Sequence, residues 1–554
     1  MADEQKIRYP GLEQNLPHGN ELRVYLANKE ETGVTIVRPA PNKVAFRTRM
    51  ERYPRTLLVM PPITLSEGTV KRVIPPLGIG YIAGYLESVG IPFDILDCVA
   101  EGLDTEQLIG PRTWMYGLSD DAIRTELERY RPDVIGISII YSSDLHSMYR
   151  LARLAKEVDP NVIVVGGGIH CSIYPKEVLQ ESAPYIDFVI RGEGEIRFAQ
   201  FIENVRCGEI DLAGDGVCGW HDGRMFVNHQ IEMIEDLDAL PFPAYHRMPM
   251  EKYFAFNVPF SPFPRGRRVM QLYTSRGCPV GCTFCASTNF YKAYRARSPE
   301  NVVREVMYYK ERYQIDEIQF ADDNLTFNRK RSLELFDQLK VCGLPWCTPN
   351  GTMVNTLTED LLDRMIESGL YQVTLSLDSG SAKTLKEHHR KPMNLQRVPD
   401  LAAFLKARGI LIHATLVVGM PGETKDDINE GFRYVETLPL DSIGVFIAQA
   451  LPGSELFEKA VADGLIDRQK ARIIDTAQNN IRLSNIDPAA LEQLVSDFLV
   501  KYNALIRQRD PVSWEKKYRR HRERLSRMCI GNAAPNTDGV IRAAQPAPME
   551  NLAY

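Results

Sequence analysis

Long apolar runs are missing from this chain of 554 residues, and with no stretch of 18 apolar residues no membrane span is expected. The opening residues, MADEQKIRYPGLEQN, have no apolar core and do not read as a secretory leader, so a reducing cytoplasmic setting is expected. Excess positive charge is missing as well. The formal net charge is −6, so composition points to no nucleic-acid partner. Internal repeats and long low-complexity tracts are absent. No G-x-G-x-x-G follows the first expected strand, which counts against a dinucleotide. A last absence is local. Cys278, Cys282 and Cys285 stand as C-x3-C-x2-C in QLYTSRGCPVGCTFCAS, with no fourth thiol nearby. Three is an odd number for disulfides and one short of a closed zinc site.

What is present is a long soluble-type composition, 44% hydrophobic and 25% charged, enough for two or three full cores. From residue 55 strands and helices alternate. Strands are expected at 56–62, 93–97, 133–140, 162–168 and 187–195, and helices at 77–90, 119–130 and 145–158. Alternation of this kind predicts an α/β, Rossmann-like (flavodoxin-like) domain over 55–205, with ligands beyond the carboxyl ends of its strands. Gly166, Gly167, Gly168, His170, Gly192, Glu193 and Gly194 fall on that rim. PPLGIGYIAGYLESVGIPFDILD, VVGGGIH and VIRGEGE resemble the cobalamin-binding domain that precedes many radical S-adenosylmethionine enzymes. The resemblance assigns those seven residues to cobalamin. A generic Rossmann-like domain for another nucleotide is the alternative. Histidine-ligated cobalamin domains carry D-x-H-x-x-G after the first strand. Here DLHSMY (Asp144, His146, Tyr149) follows the third and lacks the glycine, so no histidine ligand to cobalt is expected.

Residues 206–265 are rich in proline and glycine and read as a connector with little regular structure. Beyond them, βα units recur from VMQLYTSRG to DSIGVFIAQALPGSEL, predicting a partial (β/α)6 barrel over 266–460 with functional residues at strand carboxyl ends. Three thiolates can hold three irons of a [4Fe–4S] cluster and leave the fourth open. C-x3-C-x2-C directly after a strand resembles the radical S-adenosylmethionine superfamily. That resemblance implies that Cys278, Cys282 and Cys285 hold the cluster and that S-adenosylmethionine chelates the open iron. It places Phe284 near the adenine. Asp322, Asp323 and Asn324 would meet the amino group, and Asp378 and Ser379 the ribose and carboxylate. Gly419, Gly422 and Gln449 would contact the adenine.

The two halves together resemble class B cobalamin-dependent radical S-adenosylmethionine methyltransferases. Such enzymes methylate centres that offer no nucleophilic lone pair, from methylcobalamin. MYGLSDD, QLYTSRGC, GLPWCTPNGT and ESGLYQVTLSLDSG are similar to fosfomycin-pathway C-methyltransferases, with phosphinothricin-type P-methyltransferases as sister group. The implied substrate is a small organophosphorus antibiotic precursor, and Arg295, Arg297, Arg390 and Lys391 are candidate cations for it. The implied partner is an external one-electron reductant of flavodoxin or ferredoxin type. A radical cyclase or rearrangement enzyme on the same architecture keeps every motif. A non-catalytic cobalamin sensor needs no three-cysteine loop. Cys98, Cys171, Cys207, Cys218, Cys342, Cys347 and Cys529 show no metal spacing and are expected to be structural. Residues 1–54 are expected as an N-terminal extension, 461–530 as a helical region and 531–554 as a disordered tail.

Overall fold

The computed structural model describes residues 43–66, 71–110, 113–229, 231–257, 259–291, 293–468, 483–512 and 514–515. The expected disordered tail, most of the N-terminal extension and Cys529 lie outside them. So does much of the expected C-terminal helical region.

The first sheet has seven strands. They are β1 (Thr56–Met60), β2 (Phe93–Asp97), β3 (Val134–Ile139), β4 (Ile163–Gly168), β5 (Phe188–Ile190), β6 (Val217–His221) and β7 (Arg224–Phe226). Their spatial order is 7-6-5-4-3-1-2. The parallel part, 2-1-3-4-5, is the flavodoxin-like order, whose switch point lies between β1 and β3. Runs such as TLLVM and VIGISI are buried almost throughout because helices cover both faces. Among these helices are α1 (Leu77–Ser88), α2 (Asp120–Tyr130), α3 (Leu145–Val158) and α4 (Gly194–Cys207). The expected start of α2 is correct: the Ser119 hydroxyl accepts the Ala122 N–H at 3.3 Å ahead of an acidic first turn.

The connector is more ordered than its composition suggests. Its strands β6 and β7 run antiparallel and extend the first sheet. Asp222 and Gly223, both at positive φ, close them in the two-residue hairpin that Asp-Gly favours. VCGWH and RMF have no alternating pattern and no following helix to announce them. The connector also clasps α1. Phe242–Tyr245 lies along Gly80 and Gly84, where a Cβ would stand 2.9 Å from the Pro243 side chain and 2.5 Å from the Phe242 carbonyl. Ala244 N–H donates to Gly80 O at 2.9 Å.

The second sheet has six parallel strands in sequence order. They are β8 (Val269–Leu272), β9 (Glu317–Phe320), β10 (Trp346–Thr352), β11 (Leu370–Asp378), β12 (Leu411–Val418) and β13 (Ser442–Ile447). No pairing joins β13 back to β8, so this is the expected open (β/α)6 arc. Crossover helices α5 (Pro299–Tyr313), α6 (Arg329–Leu339), α7 (Glu359–Glu367), α8 (Val398–Ala407) and α9 (Lys425–Glu436) cover its outer face. The helix α10 (Pro488–Arg509) packs beside β13, with Phe498 stacked on Phe432 of α9 at 3.8 Å. One hydrophobic core runs through both halves, from Ile79 and Ala83 through Ala244 and Tyr245 to Val302 and Tyr309. No described helix is long and apolar enough to cross a membrane.

Candidate active site

The cysteine loop leaves β8 through a short antiparallel ribbon, Ser275–Arg276 against Arg295–Ala296. The end of β9 ties the loop down. The buried Asp322 carboxylate accepts the Thr274 N–H at 3.1 Å, the Thr274 hydroxyl at 2.7 Å and the Ser275 hydroxyl at 2.5 Å. Asp323 accepts the Gly277 N–H at 3.1 Å, and the Asn324 amide lies 3.6 Å from Cys278 Sγ. Asn324 Oδ1 is buried with no hydrogen-bond partner. Asp322 and Asp323 are therefore committed to shaping the loop, and Asn324 keeps an acceptor to offer. Cys278, Cys282 and Cys285 are half-buried, and none of the described cysteines is in a disulfide. Burial pushes the Cys282 thiol up to about 12 and raises Cys285 as well. Among the described residues no three side chains converge on a single ion. A cluster does not require that, because each thiolate takes a different iron. Three thiols outside any disulfide, on a loop pinned at both ends, fit a [4Fe–4S] site.

Phe284 sits within this loop and meets His389 edge to face at 5.3 Å. Thr283 donates its N–H to His389 O and its hydroxyl to His388 O at 2.7 Å, seating the loop on a π-helical turn, Leu385–His389. Such turns are frequent at functional sites. Both His389 ring nitrogens are buried without a hydrogen-bond partner, and burial pushes the imidazole down to about 4. Asp378 ends β11 at φ 58°, a strained setting for a carboxylate residue, and Lys391 Nζ holds it at 2.5 Å. Ser379 is buried beside it. Gly419 and Gly422 both take positive φ in the turn after β12. Glu423 spans that turn, accepting the Gly419 N–H at 2.6 Å and the Met420 N–H at 3.1 Å. Burial raises its carboxyl to about 7. Gln449 lies half-buried just past β13. These strand ends share one rim of the barrel.

On the first sheet, the crevice at the β1/β3 switch point is lined by Ile140 and Tyr141, 51% and 53% exposed. Ligands of such sheets bind at this switch point, beyond the carboxyl ends of the strands. Ser142 Oγ lies 2.8 Å from Nδ1 of the buried His170. Gly166 is buried and Gly167 half-buried; a Cβ on Gly167 would meet nothing nearer than 3.9 Å. Gly168, at φ 100° and ψ −172°, admits only glycine, since a Cβ would stand 1.9 Å from Ile139 O. This cradle fits a bulky ligand such as cobalamin. Asp144 is buried at its edge, and burial raises its carboxyl to about 7. His146 is exposed on α3. The other half of the expected rim is tied to the turn after Gly168, the Gly192 N–H donating to Ser172 Oγ at 2.8 Å. Gly192 packs on Ile231, Gly194 on Ile82, and Glu193 points at Arg276 and Arg295.

The crevice and the loop are neighbours. The helical turn Ile169–Ile173, directly after Gly168, contacts the turn Ser287–Tyr291, directly after the cysteines. Ile173 and Phe284 pack against one apolar cluster with Tyr174 and Met420.

The four expected substrate cations are all engaged. Arg295 pairs with Glu193 at 2.8 Å, Arg297 with Glu305, Arg390 with Glu455, and Lys391 with Asp378 at 2.5 Å. Arg295 and Arg297 are also buried, which removes them from a substrate surface. Sequence reasoning gave no site role to Tyr141, Asp144, Glu423, Glu195 or Arg276, although Asp144 stands in DLHSMY, Glu195 in VIRGEGE and Arg276 in QLYTSRGC, and Glu423 closes the GMPGE turn; Tyr141 had no signal.

Residues 66–202 match the B12 binding domain family and residues 272–435 the Radical SAM superfamily. The cytidylyl-2-hydroxyethylphosphonate methyltransferase of Streptomyces wedmorensis is 36% identical, covering 78% of this chain and 86% of its own. An uncharacterised methyltransferase of Pyrococcus horikoshii is 30% identical, over 81% of this chain and 92% of its own. Among solved structures, TsrM from Kitasatospora setae with cobalamin and a [4Fe–4S] cluster bound shares the fold. Its TM-score is 0.60 at 16% identity, over 80% of this chain and 88% of that one.

Proposed function

Because the chain belongs to the cobalamin-dependent radical S-adenosylmethionine methyltransferases, class B, we propose that it methylates a carbon or phosphinate phosphorus of a small organophosphorus antibiotic precursor. The observation that carries this is the contact between the glycine-bounded crevice and the cysteine loop within one compact body. A methyl donor and a radical source must lie together if hydrogen removal is to be followed by methyl capture. The substrate class rests on the Streptomyces relative, whose name states a cytidylylated phosphonate.

Cys278, Cys282 and Cys285 would hold three irons of the cluster. Phe284, Asn324, Ser379, Gly419, Gly422 and Gln449 would border S-adenosylmethionine. Asp322, Asp323 and Asp378 would act behind them, shaping the loop and the strand end. Gly166, Gly167, Gly168 and His170 would border cobalamin. When bound, the cofactors supply a deoxyadenosyl radical and a transferable methyl group. The protein keeps water away and holds the substrate between them. Within the barrel, His413 on β12 hydrogen-bonds Ser442 Oγ through Nδ1 at 2.7 Å, and burial pushes its imidazole down to about 4. Phe446, 56% exposed, faces the same space. With the four candidate cations engaged, neutral hydrogen-bonding groups such as His413 are the substrate contacts we favour. A flavodoxin- or ferredoxin-type reductant in the cytoplasm would supply the electron.

The test is anaerobic turnover of reconstituted protein with reductant, methylcobalamin and S-adenosylmethionine. Cytidylylated 2-hydroxyethylphosphonate or an N-acetylated phosphinate is the acceptor. Methylated product should appear with 5′-deoxyadenosine and S-adenosylhomocysteine in comparable amounts. Methylation with no deoxyadenosine would mean polar transfer. Deoxyadenosine with no methyl gain on either acceptor would favour a cyclase or rearrangement enzyme.

A further inference from the structure

Arg276 and Arg295 stand opposite each other in the ribbon that closes the cysteine loop. Like charges in facing positions of an antiparallel pair repel, and both guanidinium groups are largely buried. The compensation comes from the other half of the molecule. Glu193, between β5 and α4, accepts Arg276 Nη1 at 2.7 Å and Arg295 Nη2 at 3.0 Å on one carboxylate oxygen. Its other oxygen accepts Arg295 Nη1 at 2.8 Å and the Ile234 N–H at 2.7 Å. Glu195 accepts Arg276 Nη2 at 2.7 Å. Arg276 also lies over the Tyr81 ring of α1, 5.1 Å from its centroid. Burial works against the charge on Glu193, but Arg295 and Arg276 outweigh it and hold the carboxyl below its usual range.

Two carboxylates and two guanidinium groups thus balance in a site with little access to water. An apolar junction of similar size can slide by small steps. Four charge-assisted, directional hydrogen-bonding partners cannot move without breaking bonds. The elements they join are the ones that matter: Glu193 and Glu195 extend from the crevice sheet, and Arg276 stands two residues before Cys278.

We propose that Glu193, Glu195, Arg276 and Arg295 form the positioning device that fixes the cysteine loop against the crevice half, and thereby couples radical formation to methyl transfer. The coupling rests on the function proposed above; the positioning does not.

Two readouts separate these parts. In Glu193→Gln holoprotein carrying its iron and cobalamin, amide hydrogen exchange should rise together in 277–287 and 191–195. Deoxyadenosine formed per methyl transferred should rise severalfold. Glu195→Gln leaves every Glu193 bond in place and should shift both readouts the same way, by less. Glu305→Gln removes a buried partner of Arg297 outside the quartet. It should lower the melting temperature and leave the product ratio alone. Loaded Glu193→Gln protein with unchanged loop exchange would overturn the positioning role. Raised exchange with an unchanged product ratio would overturn the coupling. If both Glu193→Gln and Glu195→Gln lose cluster and cobalamin outright, the quartet is a folding element and the proposal fails. Wild-type protein inactive on every acceptor would count against the proposed function alone, because the exchange readout needs no turnover.

Discussion

Gly168 sits where any side chain is excluded. Its φ and ψ lie in a region essentially reserved for glycine, where other residues carry strain of about 1–3 kcal/mol. A Cβ there would also overlap the Ile139 carbonyl that flanks the crevice. Gly167 differs: its backbone is ordinary and the space around its Cβ is open. Gly168→Ala should therefore lower the melting temperature and abolish cobalamin retention. Gly167→Ala should fold normally and lose only affinity, because the added methyl meets nothing nearer than 3.9 Å in the protein and takes up space at the rim. Absorbance of bound hydroxocobalamin after desalting distinguishes the two. Equal loss of stability in both variants would show that Gly167 also serves the fold. The glycines stand out in VVGGGIH, but nothing in the string says that the third is the intolerant one. That depends on Ile139, which another strand supplies.

The cysteine loop has little hydrogen bonding of its own and takes its shape from β9. Asp322 gathers three donors from Thr274 and Ser275. All three reach Oδ1, so asparagine could keep them, whereas alanine removes that acceptor from both buried hydroxyls and from the Thr274 N–H. Each such loss costs about 1–3 kcal/mol. Asp322→Ala should therefore reduce iron bound after reconstitution by more than its effect on melting temperature suggests. Iron and sulfide assays with near-ultraviolet dichroism would check this. Full cluster loading would show that the loop is shaped by its ligands alone. The resemblance assigns FADDN to a cofactor contact. The strand end was correctly placed, but the first two carboxylates turn back onto the loop because Thr274 and Ser275 present donors there.

The whole molecule behaves as one cooperative body if its core does. The apolar core passes from α1 through the connector to α5 without a gap, and Tyr245 meets Tyr309 at 5.5 Å. The buried ion pairs at Glu193 reinforce the same junction. A calorimetric scan of the holoprotein should show one transition, and a fragment ending near residue 205 should be unfolded or aggregated, because it would expose α1 without Phe242–Tyr245. Two resolved transitions would mean that the halves hold together only through their ligands.

Sequence alone determined the local and periodic features. Buried strands, capped helices and C-x3-C-x2-C are set by neighbours within a few residues, and the βα rhythm then dictates parallel sheets and ligand sites at strand ends. Strands such as Val217–His221 escaped because VCGWH has no alternating pattern and lies outside the βα rhythm. Charge partnership could not be read at all. Arg295 and Lys391 look like free cations in the string. Whether a cation is free depends on which carboxylate the fold brings within about 3 Å, and Glu193 reaches Arg295 across 102 positions of chain. Tertiary structure alone decided that Arg276 and Arg295 pair with Glu193 and Glu195 across the two halves, because only the fold brings these distant stretches to one buried junction.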